Sequence, residues 1–188
     1  MAGGELLIPV KEIIEQVRLE EKDIRQEKFS DYQILKALQK AMRQLANTCA
    51  TMNTEFFESM QSFSLEQVLN GVDLPIDYIS MKSVRDLSGR ALSPGTGRLD
   101  NKEYQIVSGR LYALEPVIIT YSCSLPAPQE GEVINLPEPL RDMIVSLTRM
   151  IVENSERDVL TQFINSEVRN IIPRRKWSNI KTKMPFKV

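Results

Sequence analysis

The sequence predicts an α+β protein. Its N- and C-terminal helices would form a helical bundle core, with an inserted antiparallel β meander and an extended basic C-terminal arm. Three observations lead to this prediction. Residues 1–53 and 136–172 repeat apolar side chains every three or four positions, which is typical of amphipathic helices that pack together. Residues 54–126 alternate with period two between turn signals, which indicates a β sub-domain. Residues 173–188, called the arm below, carry six basic side chains and no acid.

Two helices are predicted in residues 1–53. Pro9 suits the first position of a helix, because the N–H it lacks would have no helical partner there. The apolar residues that follow at helical spacing are Val10, Ile13, Ile14 and Val17. Ser30 and Gln33 form a capping-box pattern before a second helix of about 20 residues. The apolar stripe of that helix consists of Ile34, Leu38, Ala41, Leu45 and Cys49. We expect this stripe to pack in a core.

Residues 54–126 indicate four to six antiparallel strands. The predicted strands are Thr54–Leu65, Ile79–Leu87, Tyr104–Val107, Leu111–Leu114 and Val117–Cys123. Glycine-containing turn signals stand at 70–71, 88–90 and 108–110, and the composition of 93–102 predicts a loop.

The second helical region begins after Leu136–Pro139. Its apolar residues repeat at three and four positions as far as Ile171, just before Pro173. Asn154 and Ser155 interrupt the pattern, and the sequence leaves open whether 139–172 is one helix or two. Because both helical blocks have a single apolar face, they are expected to pack on each other.

Composition narrows the classes of function. No apolar run approaches the ~20 residues of a membrane helix, and we expect neither a secretory signal nor membrane association. The chain has no histidine, which excludes histidine-dependent nucleophile activation and histidine-ligated zinc. Cys49 and Cys123 stand among apolar residues and are expected to be buried thiols in a reducing compartment. We therefore expect no enzyme, no cofactor and no metal site.

The total charge is close to neutral, but the charged residues are distributed unevenly along the chain. Six of the 24 basic residues lie in the arm, so residues 1–172 hold 18 basic and 25 acidic side chains. Apolar residues, including a tryptophan, stand between the arm's charges. The candidate binding residues of the arm are Arg174, Arg175, Lys176, Trp177, Lys181, Lys183 and Phe186. This pattern predicts docking on an acidic or grooved surface, with a solvated terminus as the alternative.

Five segments within residues 30–153 resemble the head-to-tail adaptor (connector) proteins of tailed bacteriophages, the family also called tail tubular protein A-like. They comprise an amphipathic helix together with a Phe-Ser-Leu segment that follows it, a Leu-Pro segment before a strand, a tyrosine-led hairpin, a further strand, and a Leu-Pro segment before a second helix. In this chain they are Ser30–Cys49 followed by Phe63–Leu65, Val72–Ile79, Tyr104–Tyr112, Val117–Tyr121 and Leu136–Leu140. Residues 1–28 and the 93–102 loop lie outside the resemblance.

The resemblance implies a structural virion protein at the virion neck, made in the host cytoplasm. Twelve subunits would form a ring beneath the portal protein and offer a platform to tail or nozzle proteins. The arm would be the portal-binding segment, with its arginines and lysines for acidic portal surface and Trp177 and Phe186 as apolar anchors. Genomic DNA would pass through the ring channel without specific binding, since an acidic lining does not hold phosphates.

Two other functions fit the same sequence. Another head- or tail-completion subunit of a virion would share the ring interfaces and differ in its neighbours. A nucleic-acid-binding protein would use Arg174, Arg175 and Lys176 on phosphates and stack Trp177 on a base. The acidic balance of residues 1–172 disfavours this second alternative.

Overall fold

A computed structural model of the chain describes residues 5–23, 25 and 27–171. Within them, the helices are α1 (Val10–Glu20), α2 (Asp31–Thr51), α3 (Leu65–Asn70), α4 (Arg141–Val152) and α5 (Arg157–Ile171). The strands are β1 (Glu5–Pro9), β2 (Glu58–Phe63), β3 (Val72–Asp73), β4 (Tyr78–Asp86), β5 (Ala91–Pro94), β6 (Glu103–Val107), β7 (Arg110–Ala113), β8 (Val117–Cys123) and β9 (Val133–Pro137).

Helix α2 is the central element of the larger apolar core. Its capping box is confirmed, since the Ser30 hydroxyl accepts from the Gln33 amide and the Gln33 side chain accepts from the Ser30 amide. The predicted stripe is buried and packs against α1, α4 and α5. An amphipathic helix of this length requires such partners, because its helical propensity alone gives little stability in water.

A two-stranded antiparallel sheet borders this core. Strand β1 pairs with β9 in a register that sets Ile8 opposite Ile134, and both side chains are buried. The amide of Val10 donates to the carbonyl of Glu132 at 2.9 Å. The small sheet thus ties the start of α1 to the segment that leads into α4.

The remaining strands form one nearly closed seven-stranded sheet in the order β2-β8-β4-β5-β6-β7-β3. Strand β8 lies between β2 and β4, and Val117, Ile119 and Tyr121 of β8 are buried in a second apolar core. Strands β5 and β6 are parallel, whereas the other neighbouring pairs are antiparallel.

The predicted fold class was wrong. In its described residues the chain is a mixed α/β protein with five helices and a nearly closed seven-stranded sheet, and it is richer in strands than a helical bundle with a small inserted meander. A meander pairs strands in chain order, whereas here β8 returns between β2 and β4. Moreover, β1 and β9 occupy segments that were assigned to a helical block or left unassigned.

Local interruptions explain where several predicted elements end. Asn154 adopts φ +59°, a left-handed conformation that stops α4, and the amide of Ser155 donates to the carbonyl of Met150. Residues 139–172 therefore contain two helices in their described part. Strand β5 extends into the predicted 93–102 loop, and α3 occupies a segment that overlaps the predicted strand 54–65.

Candidate interaction surfaces

The predicted portal-binding residues lie outside the described part of the chain. All seven belong to the arm, which follows α5; they are Arg174, Arg175, Lys176, Trp177, Lys181, Lys183 and Phe186. Helix α5 itself is anchored, because Leu160, Ile164 and Val168 are buried against the core that α2 and α4 share. The docking of the arm therefore stays a prediction, while its point of attachment is a packed helix.

Charged side chains fix the helices relative to one another. Arg18 of α1 is only 6% exposed and binds two carboxylates, Asp23 at 3.0 Å and Asp31 at 3.1 Å. The carboxylate of Asp23 also accepts the three backbone amides of Glu27, Lys28 and Phe29. These amide hydrogen bonds, led by that of Lys28, hold the pKa of Asp23 below its ordinary value despite its burial.

Two further ion pairs join α1 to α4. Arg141 pairs with Glu12, and Arg149 pairs with Glu20 at 3.4 Å. Burial, followed by a hydrogen bond to Glu153, raises the pKa of the neighbouring Glu21. The side chains of both pairs are about a third to a half exposed, so the pairs orient α1 on α4 but add little to the stability that the shared apolar core provides.

A separate set of polar contacts positions the large sheet on the helices. The ammonium of Lys82 on β4 donates to the carbonyl of Thr54 and to the carboxylate of Glu58 on β2. The amide of Cys123 on β8 donates to the carbonyl of Phe57 at 2.8 Å. The segment between α2 and β2 is thereby bonded to both of the strands that follow in the sheet.

The two cysteines are free thiols. Cys49 is fully buried in α2, and burial raises its pKa to about 11. Cys123 is partly buried, and its pKa is raised first by burial and then by the carboxylate of Asp77. Neither environment favours a thiolate at neutral pH, so neither residue is placed as a nucleophile.

Two grooves lie on the described surface, and neither is lined by a set of groups suited to catalysis. The first has a volume of about 350 Å³ and is lined by Glu66, Gln67, Asn70, Gly71, Val72 and Asp73. The second, of about 280 Å³, is lined by Val10, Lys11, Ile14, Glu15, Arg18, Asp31, Glu130 and Gly131. Several of their charged groups are paired, Asp73 with Arg110, Lys11 with Glu15 and Arg18 with Asp31. These linings combine no nucleophile with a base.

Exposed apolar side chains mark the large sheet and its connections. The most prominent are Ile76, fully exposed before β4, Met60 at 71% and Leu87 at 67%. The others in this region are Leu65, Leu69, Ile106, Val107 and Leu114. Single exposed apolar residues are ordinary on a protein surface. Three of these eight, Met60, Ile106 and Val107, lie in strands of the large sheet, and the others lie in α3 or in turns between strands.

Sequence reasoning did not single out these surface residues. For Met60 the sequence did contain an indication. In the predicted strand, Met60 lies on the same side as the polar residues Glu58 and Ser62, opposite the side of Phe57 and Phe63. An apolar residue on the polar side of a predicted strand is a candidate contact residue. Ile76, between Pro75 and Asp77 in a turn, gives a similar signal.

The described part of the chain is thus a mixed α/β fold with exposed apolar side chains on its large sheet and the connections of that sheet. Across residues 5–171, apart from 24 and 26, no group of three or more metal-ligating side chains could hold an ion. No helix in that same part is long and apolar enough to cross a membrane. The chain matches no model of a known protein family, and none of the curated proteins matches it.

Proposed function

We propose that the chain is a structural virion protein, a head-to-tail adaptor. Its copies form a ring that docks under the portal, carries the tail attachment platform and encloses the DNA channel. The observation that carries this proposal is the set of exposed apolar side chains on the large sheet and its connections, which are available for protein contacts. The resemblance of residues 30–153 to adaptor proteins supplies the particular assembly.

Each part of the molecule has a role in this proposal. The ion-paired helical layer gives a rigid wall, because α1, α2, α4 and α5 share one core. The large sheet contacts neighbouring subunits or tail proteins through its exposed apolar residues. The arm continues from the packed helix α5 and latches on the portal, with basic side chains for acidic surface and Trp177 as an apolar anchor.

Binding measurements with a paired set of charge reversals test the latch. The test variant is Arg174→Glu/Arg175→Glu in the arm. The control is Lys40→Glu/Arg43→Glu on the exposed face of α2, which changes the charge by the same amount. Each protein is titrated against the purified portal ring of the same phage and against a 30-nucleotide DNA. We expect the arm variant alone to lose portal affinity, by tenfold or more.

The same titrations separate the alternatives. Salt-sensitive DNA binding that the arm variant abolishes, with no portal binding by the native chain, would favour the nucleic-acid alternative. Binding to tail proteins but not to the portal would favour another completion subunit. Portal binding that both variants retain would keep the adaptor and remove the latch role from Arg174 and Arg175.

A further inference from the structure

Strand β2 is an edge of the large sheet, with β8 as its neighbour on one side only among the described strands. The amide of Cys123 donates to the carbonyl of Phe57, which fixes the hydrogen-bonding phase of the β2–β8 pair. Because alternate residues of an edge strand bond to the neighbour, Ser59, Gln61 and Phe63 face β8. The backbone N–H and C=O groups of Glu58, Met60 and Ser62 therefore point outward.

This edge lacks the features that usually protect edge strands. Its register with β8 runs without a bulge from Glu58 to Phe63, and the strand contains neither proline nor lysine. Met60 is 71% exposed at its centre. The single charge of the strand, Glu58, is neutralised by Lys82 of the same chain. A second strand could approach without facing an unpaired charge.

We propose that two copies of the chain associate by pairing their β2 strands antiparallel about a two-fold axis. One register uses all three outward residues of both strands. It sets Met60 opposite the partner's Met60 and Glu58 opposite the partner's Ser62. Each of the three pairs would exchange two backbone hydrogen bonds, and the two large sheets would become continuous. The strand is self-complementary in this register, because the two Met60 side chains meet at the axis and no two like charges stand opposite each other.

This contact is independent of the adaptor ring. A two-fold contact closes on itself after two copies, whereas a ring needs a contact between two different surfaces. The β2 dimer therefore describes the free protein before it joins an assembly. Its failure would leave the adaptor proposal unchanged, and failure of portal binding would leave the dimer unchanged.

Substitutions of Met60 test the pairing. Met60→Pro removes an outward N–H and leaves the β8 hydrogen bonds of Ser59 and Gln61 in place. Since both central hydrogen bonds of the dimer need that N–H, we expect its dissociation constant to rise about tenfold or more. Light scattering over a concentration series gives the constant. Met60→Lys tests the same contact without proline, and Leu87→Lys is the control at an equally exposed apolar residue.

Cross-linking tests the register. Met60→Cys treated with a short bismaleimide should give a covalent dimer, while Leu87→Cys should not. Both variants also carry Cys123→Ser, because Cys123 is only partly buried; Cys49 gives little background, because it is fully buried and burial raises its pKa to about 11. A native chain that stays monomeric at every concentration would overturn the proposal, even if its own arm covers β2. A dimer that survives both Met60→Pro and Met60→Lys would overturn it too.

Discussion

At the residue scale, the turn between α1 and α2 depends on the single carboxylate of Asp23. It accepts three backbone amides and pairs with Arg18, and it is only 3% exposed. Ser30 and Gln33 complete the turn by capping α2. The sequence indicated the capping box, because its residues stand at fixed spacing. It did not indicate Asp23, because its partners are backbone groups that only the folded turn brings together.

We predict that Asp23→Asn lowers the melting temperature at pH 7 by roughly 5–10 °C, because it leaves Arg18 without its buried partner. The pKa of Asp23 is lowered in the folded chain, so its stabilising contribution is present above the ordinary value of 3.8 and disappears as the pH falls through the lower folded value. The gap between native chain and variant should therefore stay constant from pH 8 to 5 and narrow below about pH 4.

Thermal unfolding at each pH measures that gap, and Glu27→Gln serves as the control for an exposed carboxylate in the same turn. A gap for Asp23→Asn that persists unchanged to pH 3 would contradict the assigned role.

At the element scale, periodicity predicted the helices well and the sheet poorly. The helical stripe of α2 lies on one continuous segment, so its spacing alone reveals the buried face. Strand β8 was predicted with its observed bounds, from its run of β-branched and aromatic residues. The pairing of β8 between β2 and β4, and the parallel β5–β6 contact, depend on segments far apart in the chain. The alternation of polar and apolar residues within one strand does not specify which other strand it pairs with.

We predict that Leu38→Ala lowers the free energy of unfolding by about 2–5 kcal/mol, because it opens a cavity where α2 meets α4. Lys40→Ala, on the exposed face of the same helix, should change it by less than about 0.5 kcal/mol. Urea unfolding gives both values. Hydrogen exchange adds the location: amides of α2 and α4 should exchange faster in Leu38→Ala, and those of β8 should change less, because β8 packs in the second core. Equal acceleration in both cores would contradict this separation.

At the scale of the whole molecule, the described residues form two apolar cores, and the basic arm follows them in the sequence. The larger core unites helices from both ends with β1 and β9, and the smaller one lies within the large sheet. The sequence alone shows the contrast between the acidic residues 1–172 and the basic arm, because charged residues can be counted without knowledge of the fold. The exposure of individual apolar side chains could not be read from the sequence in the same way. Whether Ile76 or Met60 is buried depends on the strands that surround it.

The most direct test of the adaptor account is electron microscopy of the full chain mixed with its candidate portal ring, beside a chain that ends at Ile172. The account predicts an additional ring of density on one end of the portal, present with the full chain and lost without residues 173–188. Bare portal rings with both chains, at concentrations well above micromolar, would contradict the adaptor function.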